Sequence, residues 1–166
     1  MDRPELRTLP DEQWPEGPVV LGTAWDFSEQ LVSAAASLAD GLDLHLVCAF
    51  VDPATYLTEW EPDDARAAHS LDPAVNEEAQ FPSGQLLRRL ESELGPPGQR
   101  WSFRVLNGDP AKALSRLAES TGAALIIVGG PRPEITARMS RLLEGSVSAL
   151  LIRHQKRPVL VIPDRE

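Results

Sequence analysis

The feature that most constrains this chain is an alternation of short apolar runs with stretches of helical period. Pro18–Thr23, Leu44–Val51, Ala124–Val128 and Pro158–Ile162 are nearly unbroken apolar segments. Runs this short, bounded by turn residues, read as strands covered on both faces. Trp101, Phe103 and Val105 alternate with Ser102 and Arg104, the pattern of a half-buried edge strand. Between the runs, Phe27, Leu31, Ala35 and Leu38 fall on one helical face, with Asp26 and Glu29 at capping-box spacing and Gly41 placed to end the helix. From Gln85, the residues Leu86, Leu87, Leu90 and Leu94 form a second apolar stripe, stopped by Gly95-Pro96-Pro97-Gly98. Asp109 as N-cap and Pro110 at the first helical position open a third helix, lined by Leu114, Leu117, Ala118 and Thr121 and closed by Gly122. Ile135, Met139, Leu142 and Leu143, then Val147, Leu150, Leu151 and His154, mark two more. Strands alternating with helices imply a parallel sheet with helices on both faces, doubly wound through right-handed crossovers. The segment Ala124–Val128, the most apolar, is expected at its centre.

A chain of 166 residues favours one domain, at roughly 150 residues per domain. Residues 1–17 read as a flexible lead-in and 18–166 as the domain, with a long variable excursion at 53–82. That excursion is acidic and rich in proline, with Tyr56 and Trp60 as anchors and a short helix expected near Asp64–His69. The lone Cys48 excludes an intrachain disulfide framework and Cys-rich zinc modules. No apolar run approaches the roughly 18 residues of a membrane span, and the polar, proline-broken start is unlike a secretory signal. A cytoplasmic protein is expected. The net charge of −9 argues against a nucleic-acid or membrane-surface binder. The positive residues Arg132, Arg138, Arg141, Arg153, Lys156 and Arg157 gather near the C-terminus, either facing an anion or lying on a solvated helix face.

In an open α/β sheet, ligands bind beyond the carboxyl ends of the strands, at the topological switch point. Three segments end strands there: Thr23-Ala24-Trp25-Asp26, Ala49-Phe50-Val51, and Gly129-Gly130 with Gly145-Ser146. The last has a physical reason to hold phosphate, since glycines admit close backbone approach and a helix start offers free N–H groups.

These segments together resemble the universal stress protein family. VVLGTAWDFSE at 19–29 is similar to the family's opening strand, Asp-x-Ser and helix. Gly108-Asp109-Pro110 is similar to its G-x-P signature, and LIIVGG followed by LEGSVSALLIRHQKRPVLVIP to its C-terminal third. The resemblance implies an α/β three-layer sandwich with a five-stranded parallel sheet, and a homodimer paired through the last strand, Val159–Ile162. One branch of the family binds ATP through G-x2-G-x9-G-[ST]. Carried over, Asp26 would meet the adenosine, Ala49 would give main-chain contacts to adenine, and Gly129, Gly145, Ser146 and Val147 would cradle phosphates, with ATP and Mg as the implied ligand. Gly130 adjoins the first glycine. This sequence departs from the motif: Arg132 stands at the second glycine, three extra residues precede Gly145, and Pro131 and Pro133 carry no N–H. Arg132 could offer a cationic fork in place of lost amides.

Each candidate also has a plainer role. Asp26 and Ser146 suit helix N-caps, Gly129 and Gly130 suit a tight turn, and Trp25 suits either a base stack or a wedge on the core. Cys48 reads as a buried apolar residue. His45, His69 and His154 show no metal-ligand spacing, and no G-x-S-x-G, complete P-loop or G-x-G-x-x-G is present. The expected function is that of a non-enzymatic stress-response regulator, acting through dimer and partner contacts with impaired or altered nucleotide binding. The alternative is an ATP-binding switch using the same cleft.

Overall fold

The computed structural model describes residues 16–52, 73–130 and 146–163, with side chains in the second helix from Ser83 onward. In chain order the elements are β1 (Val19–Thr23), α1 (Glu29–Gly41), β2 (Leu46–Asp52), α2 (Pro73–Leu94), β3 (Trp101–Asn107), α3 (Pro110–Thr121), β4 (Leu125–Gly129), α4 (Val147–His154) and β5 (Val159–Ile162). The five strands form one sheet in the order β3-β2-β1-β4-β5, parallel at every pairing. The expected five-stranded parallel sheet is therefore present. The Trp101–Asn107 strand is an edge, as its alternation implied, and β5 is the other edge. The most apolar strand, β4, lies inside the sheet between β1 and β5, while β1 takes the middle position.

Alternation along the strands divides the core in two. Val19 and Leu21 of β1, Leu46, Cys48 and Phe50 of β2, Trp101 and Ile127 meet Leu31, Val32 and Ala35 of α1 and Leu86 and Leu90 of α2. On the other face Val20, Val47, Ala49, Ile126 and Val128 meet Ala111, Leu114, Leu117 and Ala118 of α3 and Leu151 of α4. The segregation follows from handedness. The chain travels one way across the sheet from β1 to β3 and the other way from β3 to β5, so crossovers of a single hand put α1 and α2 on one face and α3 and α4 on the opposite one.

Local chemistry sets the helix ends, with two differences from expectation. Asp26 is not the cap of α1. Phe27 N–H bonds back to the Ala24 carbonyl at 3.2 Å, which closes a turn over 24–27 and leaves Ser28 extended at φ −81°, ψ 143°, its side chain accepting from Leu31 N. Phe27 before the cap and Val32 in the first turns share one core cluster, the arrangement of a hydrophobic staple. The second helix begins at Pro73 and not at Gln85, because the ladder continues through Pro82 even though that residue has no N–H to give it. Asp109 does cap α3, accepting from Lys112 N, and Gly122 ends it in the left-handed conformation at φ 64°. The expected features at 1–15, the short helix near Asp64–His69, the anchors Tyr56 and Trp60, and the helix at 135–143 lie outside the described residues.

Two positions test this packing. A Cβ on Gly17 would lie 1.8 Å from the Gly122 carbonyl oxygen, and backbone cannot yield as a side-chain tip can. Gly17→Ala is expected to lower stability by about 1–3 kcal/mol, read from urea denaturation midpoints. Burial pushes the Cys48 thiol from an ordinary value of 9.0 up to about 12, since the interior disfavours the thiolate. Ellman's reagent at pH 8 should leave folded protein unmodified and react fully once the chain is denatured. Because the unfolded thiol ionises first, this group's contribution to stability is intact below pH 9.0 and is lost as pH rises toward about 12.

Candidate functional site

The switch point lies between β1 and β4. Beyond β1 the chain turns to the first face, through 24–28 into α1; α4, which follows β4 in the chain, packs on the second face. A crevice at the carboxyl ends of these strands is where such sheets receive ligands. Gly22 helps to shape its floor. A Cβ there would sit 2.9 Å from Leu114 Cδ1 and 3.2 Å from Val128 Cγ1, so glycine lets α3 close tightly under the end of β1. Next to it, the Thr23 hydroxyl donates to the Ala49 carbonyl at 2.9 Å.

The β1–α1 turn forms one lip. Asp26 is exposed at its tip. Trp25 is 46% exposed, and its indole leans against the buried Phe50 ring with centroids 6.5 Å apart and planes at 41°. Arg89 of α2 reaches this turn. Its Nη1 donates to the Trp25 carbonyl at 2.9 Å and its Nη2 to the Phe27 carbonyl at 3.3 Å. The guanidinium lies 4.2 Å from the centroid of the Phe27 ring, a cation–π contact worth about 0.5–1 kcal/mol where exposed.

The start of α4, on the second face after β4, is the candidate for the other lip. Ser146 is extended at φ −66°, ψ 156°, and caps the helix by accepting from Ala149 N at 3.3 Å. Its hydroxyl also lies 2.9 Å from that of Ser148. The plainer role foreseen for Ser146 is thus present. The first-turn amides at 147 and 148 have no acceptor within the helix and point with the positive end of its dipole.

The structure sorts the remaining sequence candidates. Ala49 is fully buried and lies mid-strand, paired with Gly22 on one side and Arg104 on the other. Its carbonyl accepts the Thr23 hydroxyl. The β2 residues that project past the β1 ladder are Val51 and Asp52, both half-buried. Gly129 ends β4, and a Cβ there would meet Leu31 Cδ2 at 3.4 Å. The Gly130 N–H donates to the Ile162 carbonyl at 2.8 Å, which extends the β4–β5 ladder. Val147 is half-buried against the second core. Arg132 and Gly145 lie outside the described residues. Arg89 was missed, because an arginine on a polar helix face gives no motif signal and its partners are carbonyls more than sixty positions away. His45 is structural: its Nδ1 donates to the Gln99 carbonyl and its Nε2 pairs with the Ser102 hydroxyl. Among the described residues no group of three or more His, Cys, Asp or Glu could hold a metal ion, and no helix is long and apolar enough to cross a membrane.

A sequence profile described as the Universal stress protein family matches residues 18–163. No curated protein matches the chain. Among solved structures, a universal stress protein in complex with cAMP is 28% identical, with 88% of this chain and 96% of that one covered at a TM-score of 0.61. A protein of the same family from Burkholderia pseudomallei is 23% identical over 90% of this chain and 98% of that one, at 0.54. The universal stress protein from Archaeoglobus fulgidus in complex with dAMP is 16% identical over 87% and 96%, also at 0.54.

The cap at Ser146 gives a direct test of the second lip. Ser146→Ala should cost about 1 kcal/mol of stability through the lost N-cap, measured by urea denaturation.

Proposed function

The chain belongs to the universal stress protein family, and on that premise we propose that it is a non-enzymatic regulator that takes an adenine nucleotide between the Trp25–Asp26 turn and the Ser146 start of α4. The carrying observation is that the sheet topology sets an acidic, aromatic turn and a polar helix N-terminus on the two sides of one switch point. Asp26 suits the hydroxyls of a ribose, the exposed indole suits a base, and the helix start suits a phosphate. The 28%-identical neighbour in complex with cAMP supports a ligand of this class.

The phosphate count argues for a small ligand. Gly130 N–H is committed to Ile162, Pro131 and Pro133 have no N–H, and Arg132 replaces the glycine that would admit close approach. Within 130–133 the amides that could cradle a triphosphate are therefore depleted, while one phosphate needs only the first turn of α4. ATP binding, with or without Mg, is accordingly weakened in this reading. The regulatory output runs through a cytoplasmic homodimer and a protein partner. Its support is β5, a sheet edge on which Leu160 is 39% exposed and which carries backbone groups ready to pair.

Calorimetric titration with cAMP, AMP and ATP, with and without Mg²⁺, tests the reading. A monophosphate should bind in the micromolar range, about −8 kcal/mol, with ATP at least about tenfold weaker and no turnover of ATP. Both Asp26→Ala and Ser146→Ala should weaken the monophosphate. Absence of heat and of thermal shift with every nucleotide would leave a regulator that works through protein contacts alone. Light scattering that shows a monomer across a wide concentration range would remove the β5-paired dimer.

A further inference from the structure

We propose that Arg89 is the positioning residue of the cleft: its guanidinium clamps the turn that carries Trp25 and Asp26, so that ligand affinity depends on a side chain of α2 outside the binding motif. The proposal rests on the nucleotide reading above for its functional consequence, while the clamp itself stands on geometry.

A turn that joins a strand to a helix has carbonyls with no ladder to join, and these need other donors. Here one planar group serves two of them. Nη1 holds the Trp25 carbonyl at 2.9 Å and Nη2 the Phe27 carbonyl at 3.3 Å. Asp26 sits between these two residues: Arg89 holds the 25–26 and 27–28 peptide units, and the 26–27 unit between them is held by the turn's own backbone bond. The guanidinium also lies over the Phe27 ring, 4.2 Å from its centroid, and the Phe27 N–H closes the turn on the Ala24 carbonyl at 3.2 Å. The origin of the clamp is fixed as well. Arg89 stands beside Leu90 and one helical turn from Leu86, both fully buried in the first core, so its stem leaves a part of α2 that cannot shift without disturbing that core.

Lysine could not reproduce this arrangement, because an ammonium is a point charge without a planar fork. That difference supplies the test. Arg89→Ala, Arg89→Lys and the exposed neighbour Arg88→Ala are made in the full chain. Hydrogen exchange is followed without nucleotide, and cAMP affinity by calorimetry.

In Arg89→Ala the Phe27 amide, which bonds the Ala24 carbonyl, should lose about tenfold or more of its protection while those of β1 and β4 keep theirs, and cAMP affinity should fall about tenfold. Arg89→Lys should restore overall stability but not the protection of the turn, and Arg88→Ala should change neither readout. Unchanged exchange at the Phe27 amide in Arg89→Ala overturns the clamp, and a loosened turn with undiminished cAMP affinity overturns its positioning role. Should the wild-type chain bind no nucleotide, the reading of the cleft fails separately and the exchange data alone decide the clamp. Arg89→Lys keeps the stem and the charge, so it gives the exchange result even where the alanine variant does not fold.

Discussion

The carboxyl end of the sheet depends on β1 being paired on both sides. Val19, Val20 and Leu21 are in register with Leu46, Val47 and Cys48 on one side and with Leu125, Ile126 and Ile127 on the other. The register of a strand buried on both faces is hard to shift, since a slip of one residue exchanges the side chains that face each core. Here such a slip would drive Leu21 toward α3, where only Gly22 leaves room for Leu114. With β1 fixed, the point where Thr23 leaves the ladder is fixed too, and so is the place where the following turn must begin. The opposed directions of travel on the two sides of β1 then open a cleft there without any residue being chosen for it.

What topology opens, side chains must order. In the turn after β1 the Ala24 carbonyl accepts from Phe27 N–H, and the Trp25 and Phe27 carbonyls are satisfied from α2. The scale of the terms is instructive. The Ser28 cap is worth about 1 kcal/mol to α1, and each bond from a charged donor about 1.5–3 kcal/mol before solvent screening. Arg89 is exposed, which discounts its share, yet it makes two such bonds and a ring contact on a stretch of three residues. Cap and clamp divide the work: Ser28 fixes where the helix starts, and Arg89 fixes what precedes it.

The fold was legible because it is written in short-range patterns. Apolar runs, the Asp109-Pro110 helix start and the Gly122 stop each act within a few residues, and the parallel sheet follows from their alternation. Two local signals misled. Asp26 and Glu29 have capping-box spacing, but the backbone bond from Phe27 to Ala24 uses that stretch for a turn and hands the cap to Ser28. The proline-rich stretch up to Pro82 reads as an excursion, whereas the helix runs through it from Pro73, since the loss of one N–H does not by itself end a helix that is packed further along by Leu86 and Leu90. The site was legible only in part. Motif positions name residues that a family uses, but whether an amide is free depends on long-range pairing. Gly130 shows this: its bond goes to Ile162, thirty-two positions away, and no spacing rule within the loop could reveal it.

The same accounting bears on what the cleft can hold. A phosphate group presents several acceptor oxygens, and a chain of three needs amides arrayed along a loop. After Gly129 the backbone offers a committed N–H at Gly130 and none at Pro131 or Pro133. Among the described residues beyond β4, the amides without an acceptor in the helix are those in the first turn of α4, where they converge near one point and do not spread along a line. Convergent donors match a compact anion. The other lip is suited to what precedes a phosphate in a nucleotide, with an acidic side chain for hydroxyls and an indole surface for a base. On the proposed nucleotide reading the two lips are balanced for a ligand whose recognition lies mostly in its nucleoside, and the rigidity of the Trp25–Phe27 turn would matter more in such a site than where a long phosphate chain supplied the binding energy.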